Sequence, residues 1–509
     1  MMLTMKFFML CWMAAVLLTA APDQNCTGLA ATNFGADVKI NSAKLVPAAA
    51  NMPEHCDVRG VIWPEARFVV KLPTNWNNRF QMAGNGAFAG TISMGPVDAA
   101  VRAGYAATST DTGHDAQKEP GATFAVPGAT NVNAGRKVID FGYLAVHETA
   151  LLAKKIIRAA YGRDARYSYW IGCSTGGRQG LIEAQRYPED FDGYVIGAPA
   201  LNLSGLNIKN IWNWIAVGPG PGEIKPTKLS ALADAVYSKC DALDGLKDGL
   251  IDNPLICNFD PTVELKKCAE QDEPTCFTAA QIAGVKKVYD GARDSAGKQL
   301  FPGLVPGAEA VGPGTGVRSG VLRSGWDGAL NGSFGLGDSF MKYVAFNPPS
   351  GASWDYHTYD FDKDPNRMRD IGLILDATVS DLTAVKARGG KILHYHGWAD
   401  AGITARLSVE YYLAAMKTMG EKETKEFYRF FPVAGMFHCG GGPGCGDADW
   451  LGAVVNWVEK GIAPEVIVGA HVEDQQTTRT RPICAYPSVA RYKGSGSIDV
   501  AENFSCVVQ

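Results

Sequence analysis

The chain reads as an α/β protein: a mostly parallel sheet covered by helices on both faces and interrupted by one large insertion. Three observations carry that reading. Short apolar runs alternate with amphipathic stretches over residues 21–200 and again over 370–509, the rhythm of strand–helix–strand units. Between 201 and 369 the rhythm stops, and tryptophan, glycine, proline and clustered cysteines take over. Finally, Gly172-Cys173-Ser174-Thr175-Gly176 lies between an apolar run and a helical pattern, where a sharp strand-to-helix turn lifts a serine hydroxyl clear of the backbone.

Taken in order, residues 1–20 form a targeting segment. Lys6 supplies positive charge, Phe7 to Leu18 is almost wholly apolar, and the small residues Thr19, Ala20 and Ala21 follow. That run is short of a bilayer span and fits a secretory signal peptide cleaved after Ala20. The expected destination is the periplasm or the medium. No later run is long and apolar enough to span a bilayer, so the mature protein is expected to leave the membrane.

Residues 67–73 and 79–83 predict two strands, the second ending at the glycine-rich loop 84–90. An amphipathic helix is predicted from Tyr143 to Tyr161, with Leu144, His147, Leu151, Leu152 and Ile156 near one face. The strand 167–171 leads to Ser174, and a helix beginning near Arg178 follows. Further strands are predicted at 193–196, 391–396 and 426–433, with helices at 405–419 and 449–460. The domain reading is a first α/β part over 21–200, an inserted cap over 201–369 and a second α/β part over 370–509.

Composition bounds the partners. Hydrophobic content of 46% and charged content of 20% suit a folded globular chain. A net charge of -4 with no basic stripe argues against a nucleic-acid partner. The chain has 12 cysteines, including Cys11 in the leader, so at least one mature cysteine stays unpaired. Cys240 with Cys257, Cys268 with Cys276 and Cys484 with Cys506 are close in sequence, which suits but does not establish pairing. No C-x-x-C spacing points to zinc. Cys173 adjoins Ser174 and Cys439 adjoins His438, a mirrored arrangement in which a disulfide would tie two loops together.

Serine is a weak nucleophile that needs a neighbouring base, and the base needs an orienting carboxylate. Ser174, then Asp400 after the strand ending His396-Gly397-Trp398-Ala399, then His438 in a glycine-rich loop give the chain order of α/β-hydrolases. His394 and His396 fall on a buried strand and read as core or supporting residues. His147 reads as structural, and Asp111, which precedes the serine, as a loop stabiliser. The backbone N–H of Thr175 is the expected oxyanion donor. The second is expected from Gly86, with Gly84 next.

Cys240 to Asp252 is dense in carboxylates and glycines, hard oxygen donors that suit calcium. It is no EF-hand, because Leu243 and Gly245 stand at the third and fifth positions counted from Asp241. On its own the loop is equally a solvated acidic turn.

With Cys173-Ser174, His438-Cys439, the His396-Gly397-Trp398-Ala399-Asp400 run and the acidic loop assembled, the chain resembles the tannase and feruloyl esterase family of α/β-hydrolases over nearly all of its mature length. The resemblance implies a cap over the sheet and a structural calcium ion held by the side chains of Asp241, Asp244 and Asp248 and the carbonyls of Leu246 and Leu250. It implies disulfides matching the couples above together with Cys26–Cys56, leaving Cys445 over. Ala87 departs from a fully glycine-rich family loop. The implied activity is secreted serine carboxylesterase chemistry on small aromatic-acid esters. Feruloyl and other hydroxycinnamoyl esters come first, galloyl esters second and mono(2-hydroxyethyl) terephthalate third. Trp212, Trp214, Trp326, Phe340, Tyr343 and Phe346 are the candidates for an aromatic acyl pocket, against the reading of most such rings as core. Arg318 or Arg323 are candidates for meeting a substrate carboxylate, against the commoner reading of a solvated surface arginine. The rival class is a non-catalytic binding protein on a hydrolase scaffold, against which the complete set of three residues argues.

Overall fold

Val69, Tyr169, Val195, Leu393 and Phe431 pack into one apolar core, while Val70, Trp170, Ile196, Ile392 and Phe430 pack into another. Successive side chains of a strand leave opposite faces, so apolar residues in both registers mean a sheet buried on both sides. The computed structural model describes residues 26–309, Trp326 and residues 333–509.

Nine strands form that sheet: β1 (Val38–Val46), β2 (His55–Ile62), β3 (Ala66–Pro73), β4 (Arg79–Ala83), β5 (Ala106–Thr110), β6 (Tyr167–Cys173), β7 (Gly193–Gly197), β8 (Lys391–Gly397) and β9 (Tyr428–Val433). Their order is β1-β2-β3-β5-β4-β6-β7-β8-β9. The first three strands and β5 pair antiparallel. From β5 to β9 every pairing is parallel. This is the expected α/β-hydrolase architecture. Its crossover helices include α1 (Met94–Arg102), α2 (Ala145–Tyr161) and α3 (Thr175–Arg186).

Between β7 and β8 lie α4 (Leu203–Val217) and α5 (Ser333–Tyr343). Among the described residues this segment adds no strand to the nine-stranded sheet. Asn202 caps α4 by accepting from Gly205 N at 2.8 Å, satisfying a helix-end donor that would otherwise lack a partner. Gly337 lets α5 approach α4 closely, since a Cβ there would stand 2.9 Å from Asn210 Cβ. After β8 come α6 (Ala405–Met419) and α7 (Trp450–Lys460). The chain ends in two hairpins joined by Cys484–Cys506.

Several boundaries differ from the sequence reading. The helix after Ser174 begins at Thr175 rather than near Arg178, because Arg178 N already bonds Ser174 O at 3.0 Å. The helix predicted from Tyr143 starts as α2 at Ala145, preceded by a wider π-type turn over Asp140–Leu144 and a short helix over Ala134–Ile139. Arg136 reaches Asp140 at 2.8 Å across that junction. The last core strand starts at Tyr428, two residues later than predicted.

Helix α3 lies on the sheet through Gly180, where a Cβ would stand 2.3 Å from Trp170 Nε1 and 2.5 Å from Ile196 Cδ1. Overpacking of this kind costs about 1–3 kcal/mol. Gly180→Ala is expected to lower stability by that amount in urea unfolding. Gly86→Ala, where a Cβ would meet nothing within 4 Å, is expected to leave stability unchanged.

Candidate active site

Ser174 has φ 64° and ψ -121°, a backbone conformation that costs a non-glycine residue about 1–3 kcal/mol and persists only where its surroundings enforce it. The enforcement is visible. Ser174 N donates to Gly197 O at 3.0 Å, and Ser174 O accepts from Ala200 N at 3.1 Å. Glycine permits the crossing beneath: a Cβ on Gly172 would stand 2.6 Å from the Gly176 carbonyl, and one on Gly84 would stand 2.7 Å from Gly176 Cα. The turn at the end of β6 is therefore clamped between β7 and the 84–90 loop.

Asp400 follows β8, and His438 lies in the loop after β9. His438 Nδ1 is 2.6 Å from Asp400 Oδ2. Asp400 is wholly buried, and Asp400 Oδ1 accepts from Gly402 N at 2.8 Å and from Ile403 N at 2.9 Å. Burial alone would raise its pKa, but the His438 charge and the hydrogen bonds from His396 and His438 outweigh it, and the carboxyl sits well below its usual range. Burial disfavours the charged His438 ring, yet Asp400 prevails and raises its pKa above the ordinary imidazole value. The Lys209 charge pulls it the other way.

The disulfide Cys173–Cys439, with Cα atoms 5.9 Å apart, closes 266 residues of chain and joins the immediate neighbours of Ser174 and His438. Both residues line a cavity of about 380 Å³. One wall is Gly86, Ala87, Phe88 and Thr175; the other is Leu203, Leu206, Asn207 and Asn210 of α4, with Leu336 of α5. Thr175 Oγ1 donates to Ala87 O at 2.6 Å, which locks the 84–90 loop onto the serine turn. A hydroxyl, an imidazole–carboxylate pair and two backbone loops thus meet at one mainly apolar cavity. That set of groups can carry out acyl transfer.

Residues 50–507 match the family described as tannase and feruloyl esterase. The chain belongs to that family. Mono(2-hydroxyethyl) terephthalate hydrolase from Piscinibacter sakaiensis is 33% identical over 535 residues, covering 92% of this chain and 87% of the relative. A probable feruloyl esterase B-1 from Neosartorya fischeri is 33% identical over 462 residues, covering 86% of this chain and 82% of the relative. The crystal structure of feruloyl esterase B from Aspergillus oryzae superposes with a TM-score of 0.84 at 28% identity, covering 96% of this chain and 100% of that one. Tannin acyl hydrolase from Aspergillus niger, at 22% identity and a TM-score of 0.75, shares the fold. This protein is a carboxylic ester hydrolase.

In this esterase none of the six candidate aromatic residues lines the described cavity, as the core reading of them holds. Trp214 stacks on Phe334 at 4.4 Å, Trp212 meets Phe361 edge-on at 5.1 Å, and Trp326 meets Tyr289 at 5.6 Å. Phe340 is wholly buried, Phe346 lies under the Arg367 guanidinium at 4.4 Å, and Tyr343 packs against the core. Large rings fill much of the insertion's interior, so they hold it together, and the described cavity wall is made of aliphatic side chains with Phe88. Arg318 and Arg323 lie outside the described residues.

Other expectations meet the structure as follows. Asp111 holds a loop by pairing with Arg67 and accepting from Gly113 N at 3.0 Å. His147 Nδ1 is 2.6 Å from Asp190 Oδ2, away from the cavity. All five disulfides are formed: Cys26–Cys56, Cys173–Cys439, Cys240–Cys257, Cys268–Cys276 and Cys484–Cys506. Cys445 is free and buried, with burial pushing its thiol up to about 11. The sequence reading missed Lys209 of α4. It is wholly buried, donates from Nζ to Gly402 O at 2.8 Å and is lowered to about 8 by burial against the opposing pull of Asp400. A lysine in an apolar helix carries no local mark of such a partner.

The acidic loop presents Asp241, Asp244 and Asp248 with little exposed surface. Among the described residues the cation paired with them is Arg481, on Asp248. The ligand-type atoms that approach within 4.8 Å of one another belong instead to His147, Glu183 and Asp190, so the loop carboxylates stand further apart. Burial and neighbouring carboxylates push Asp244 up to about 6 and Asp252 up to about 8. An all-oxygen donor set with more negative charge than Arg481 offsets is the donor chemistry a hard divalent cation takes, and the three carboxylates do not converge on one point in this structure.

Replacing both Cys173 and Cys439 by serine removes a link across a very long loop, worth about 2–5 kcal/mol. Denaturant unfolding is expected to show that loss. Ester turnover by the folded variant is expected to fall as well, because the serine and histidine loops lose their bond.

Proposed function

We propose that this chain is an exported serine esterase cleaving esters of aromatic acids, with hydroxycinnamoyl esters such as ferulates preferred. The observation that carries the reading is the joining of the strained Ser174 turn, the Asp400-bound His438 and one apolar cavity. Ser174 Oγ attacks the ester carbonyl as His438 takes its proton. Asp400 holds the ring through Nδ1 and stabilises the imidazolium that forms. The N–H of Thr175 and one from the Gly86 region hold the oxyanion. His438 then returns the proton to the departing alcohol, and water cleaves the acyl-enzyme by the same steps in reverse.

The cavity supports a preference among acids. Its described wall is aliphatic with Phe88, a surface that suits the ring of an aromatic acyl group. Asn207 and Asn210 supply amide groups beside the aliphatic wall. Five disulfides and the N-terminal apolar segment support export. We further propose structural calcium in the acidic loop, held by Asp241, Asp244 and Asp248 with the carbonyls of Leu246 and Leu250. The bound ion would neutralise buried carboxylates at a distance from the ester.

Hydrolysis of methyl ferulate, methyl gallate and mono(2-hydroxyethyl) terephthalate tests the reading. Methyl ferulate is expected to have the highest kcat/KM. Ser174→Ala is expected to lower kcat by about a million-fold and Asp400→Asn by about 10⁴-fold. A fluorophosphonate is expected to label Ser174, and a folded protein that neither labels nor turns over any ester would support the binding-protein alternative. His438 acts as a base only when unprotonated. Because its pKa is raised, activity is expected to fall with decreasing pH about a midpoint above the ordinary value of about 6.5.

Calcium is tested by metal analysis of the purified protein and by thermal melts with a calcium chelator. Ligand at 100-fold its Kd adds about 2.7 kcal/mol, so chelation is expected to lower Tm and added calcium to restore it. Asp244→Asn is expected to remove most of that response.

A further inference from the structure

Behind Asp400 runs a chain of wholly buried polar side chains that the proposed ester chemistry does not itself require. His396 Nε2 lies 3.2 Å from Asp400 Oδ2 and 2.9 Å from Ile403 O. His396 Nδ1 is 2.7 Å from Ser408 Oγ, which is 3.0 Å from His394 Nε2. His394 Nδ1 is in turn 2.7 Å from Tyr428 OH. His394, His396, Asp400, Ser408 and Tyr428 all have 0% exposure. The groups come from β8, the 400–403 loop, α6 and β9.

The donors in this chain can be assigned by elimination. Both partners of His396 Nε2 are acceptors, so that nitrogen carries a hydrogen. Burial holds the His394 pKa well below its usual value, so its ring carries one proton. If Ser408 donated to His394 Nε2, His394 Nδ1–H would have to point at Tyr428 OH, leaving that hydroxyl proton without a described acceptor. The order in which every proton has an acceptor runs the other way. Tyr428 O–H donates to His394 Nδ1, His394 Nε2–H to Ser408 Oγ, Ser408 O–H to His396 Nδ1, and His396 Nε2–H to Asp400 Oδ2 and Ile403 O. Unpaired buried polar groups are costly, so with one proton on the His396 ring this is the order that leaves none.

We propose that His396, fixed in one tautomer by Ser408, His394 and Tyr428, is a positioning residue for the Asp400–His438 pair. It acts on Oδ2, the same carboxylate oxygen that accepts from His438 Nδ1. The oxygen is thereby held by a wholly buried ring that does not line the cavity, and its share of negative charge toward His438 is moderated. The charged and titratable groups around this point are His394 and Tyr428 behind it, His438 before it and Lys209 reaching in from α4. The proposal rests on reading Ser174, His438 and Asp400 as the reacting set.

The test is steady-state hydrolysis of methyl ferulate across pH by His396→Phe, His396→Gln, Ser408→Ala and Ser174→Ala. Phenylalanine keeps the ring volume and removes the donor. Asp400 then bonds His438 more strongly, so the acidic midpoint of kcat/KM is expected to move to higher pH. kcat is expected to fall by about 10- to 100-fold, as for other misplaced catalytic partners, with KM within about twofold. Glutamine sets an N–H near the position of Nε2 and is expected to recover most of the rate and the original midpoint. Ser408→Ala is expected to shift the midpoint in the same direction with a smaller loss, and it decides the matter if His396→Phe does not fold. A wild-type kcat and midpoint in folded His396→Phe, or in Ser408→Ala when the phenylalanine variant is unfolded, overturns the proposal while an inactive Ser174→Ala leaves the reacting set standing. Turnover by Ser174→Ala overturns that set and this proposal with it.

Discussion

A wholly buried carboxylate must be supplied with donors or it destabilises the fold that holds it, and Asp400 is where that constraint falls in this protein. Two backbone amides at Gly402 and Ile403 satisfy one oxygen; His438 and His396 converge on the other. Lys209 holds the Gly402 carbonyl from helix α4 of the inserted segment. The conformation of the 400–403 loop, the orientation of His438 and the seating of that helix therefore depend on one charge. Neither the loop nor His438 can shift far without leaving Asp400 short of a partner.

The serine side is held by different physics. No charge fixes Ser174; close packing does. Gly172, Gly176 and Gly84 remove the atoms that would collide where the turn crosses the neighbouring loop, and the bond from Thr175 Oγ1 to Ala87 O closes the crossing. The Cys173–Cys439 bond then joins the packed side to the charged side. The candidate site is thus an electrostatic half and a steric half linked covalently, with α4 and α5 laid across both as one wall of the cavity.

The strands at 67–73 and 79–83, the helices at 405–419 and near 449–460, and the order Ser174, Asp400, His438 were legible because each depends on local pattern: period-two or helical apolarity, a glycine-framed turn, a polar residue just after a strand. The mirrored cysteines were legible for the same reason, since each stands beside a residue already marked. The choice between pocket and core for the aromatic residues of the insertion was not legible. Six rings in the insertion formed a plausible set, but composition does not say which way a ring points, and packing the insertion consumed them. Lys209 and Ser408 left no mark, because a buried lysine or serine in a helix looks in sequence like an exposed one.

By itself the sequence determined the α/β class, the turn at Ser174, the chain order of Ser174, Asp400 and His438 and the acidic loop, all consequences of interactions between residues near in the chain or of strand and helix periodicity. Only the tertiary structure decided what surrounds them: that helix α4 reaches the Asp400 loop, that the cavity wall is aliphatic, and that His394 and His396 join Ser408 and Tyr428 in one ordered chain. Those facts depend on which elements meet when the sheet closes over its two cores, and partners brought together from 12 to 193 residues away in sequence have no local signature to read.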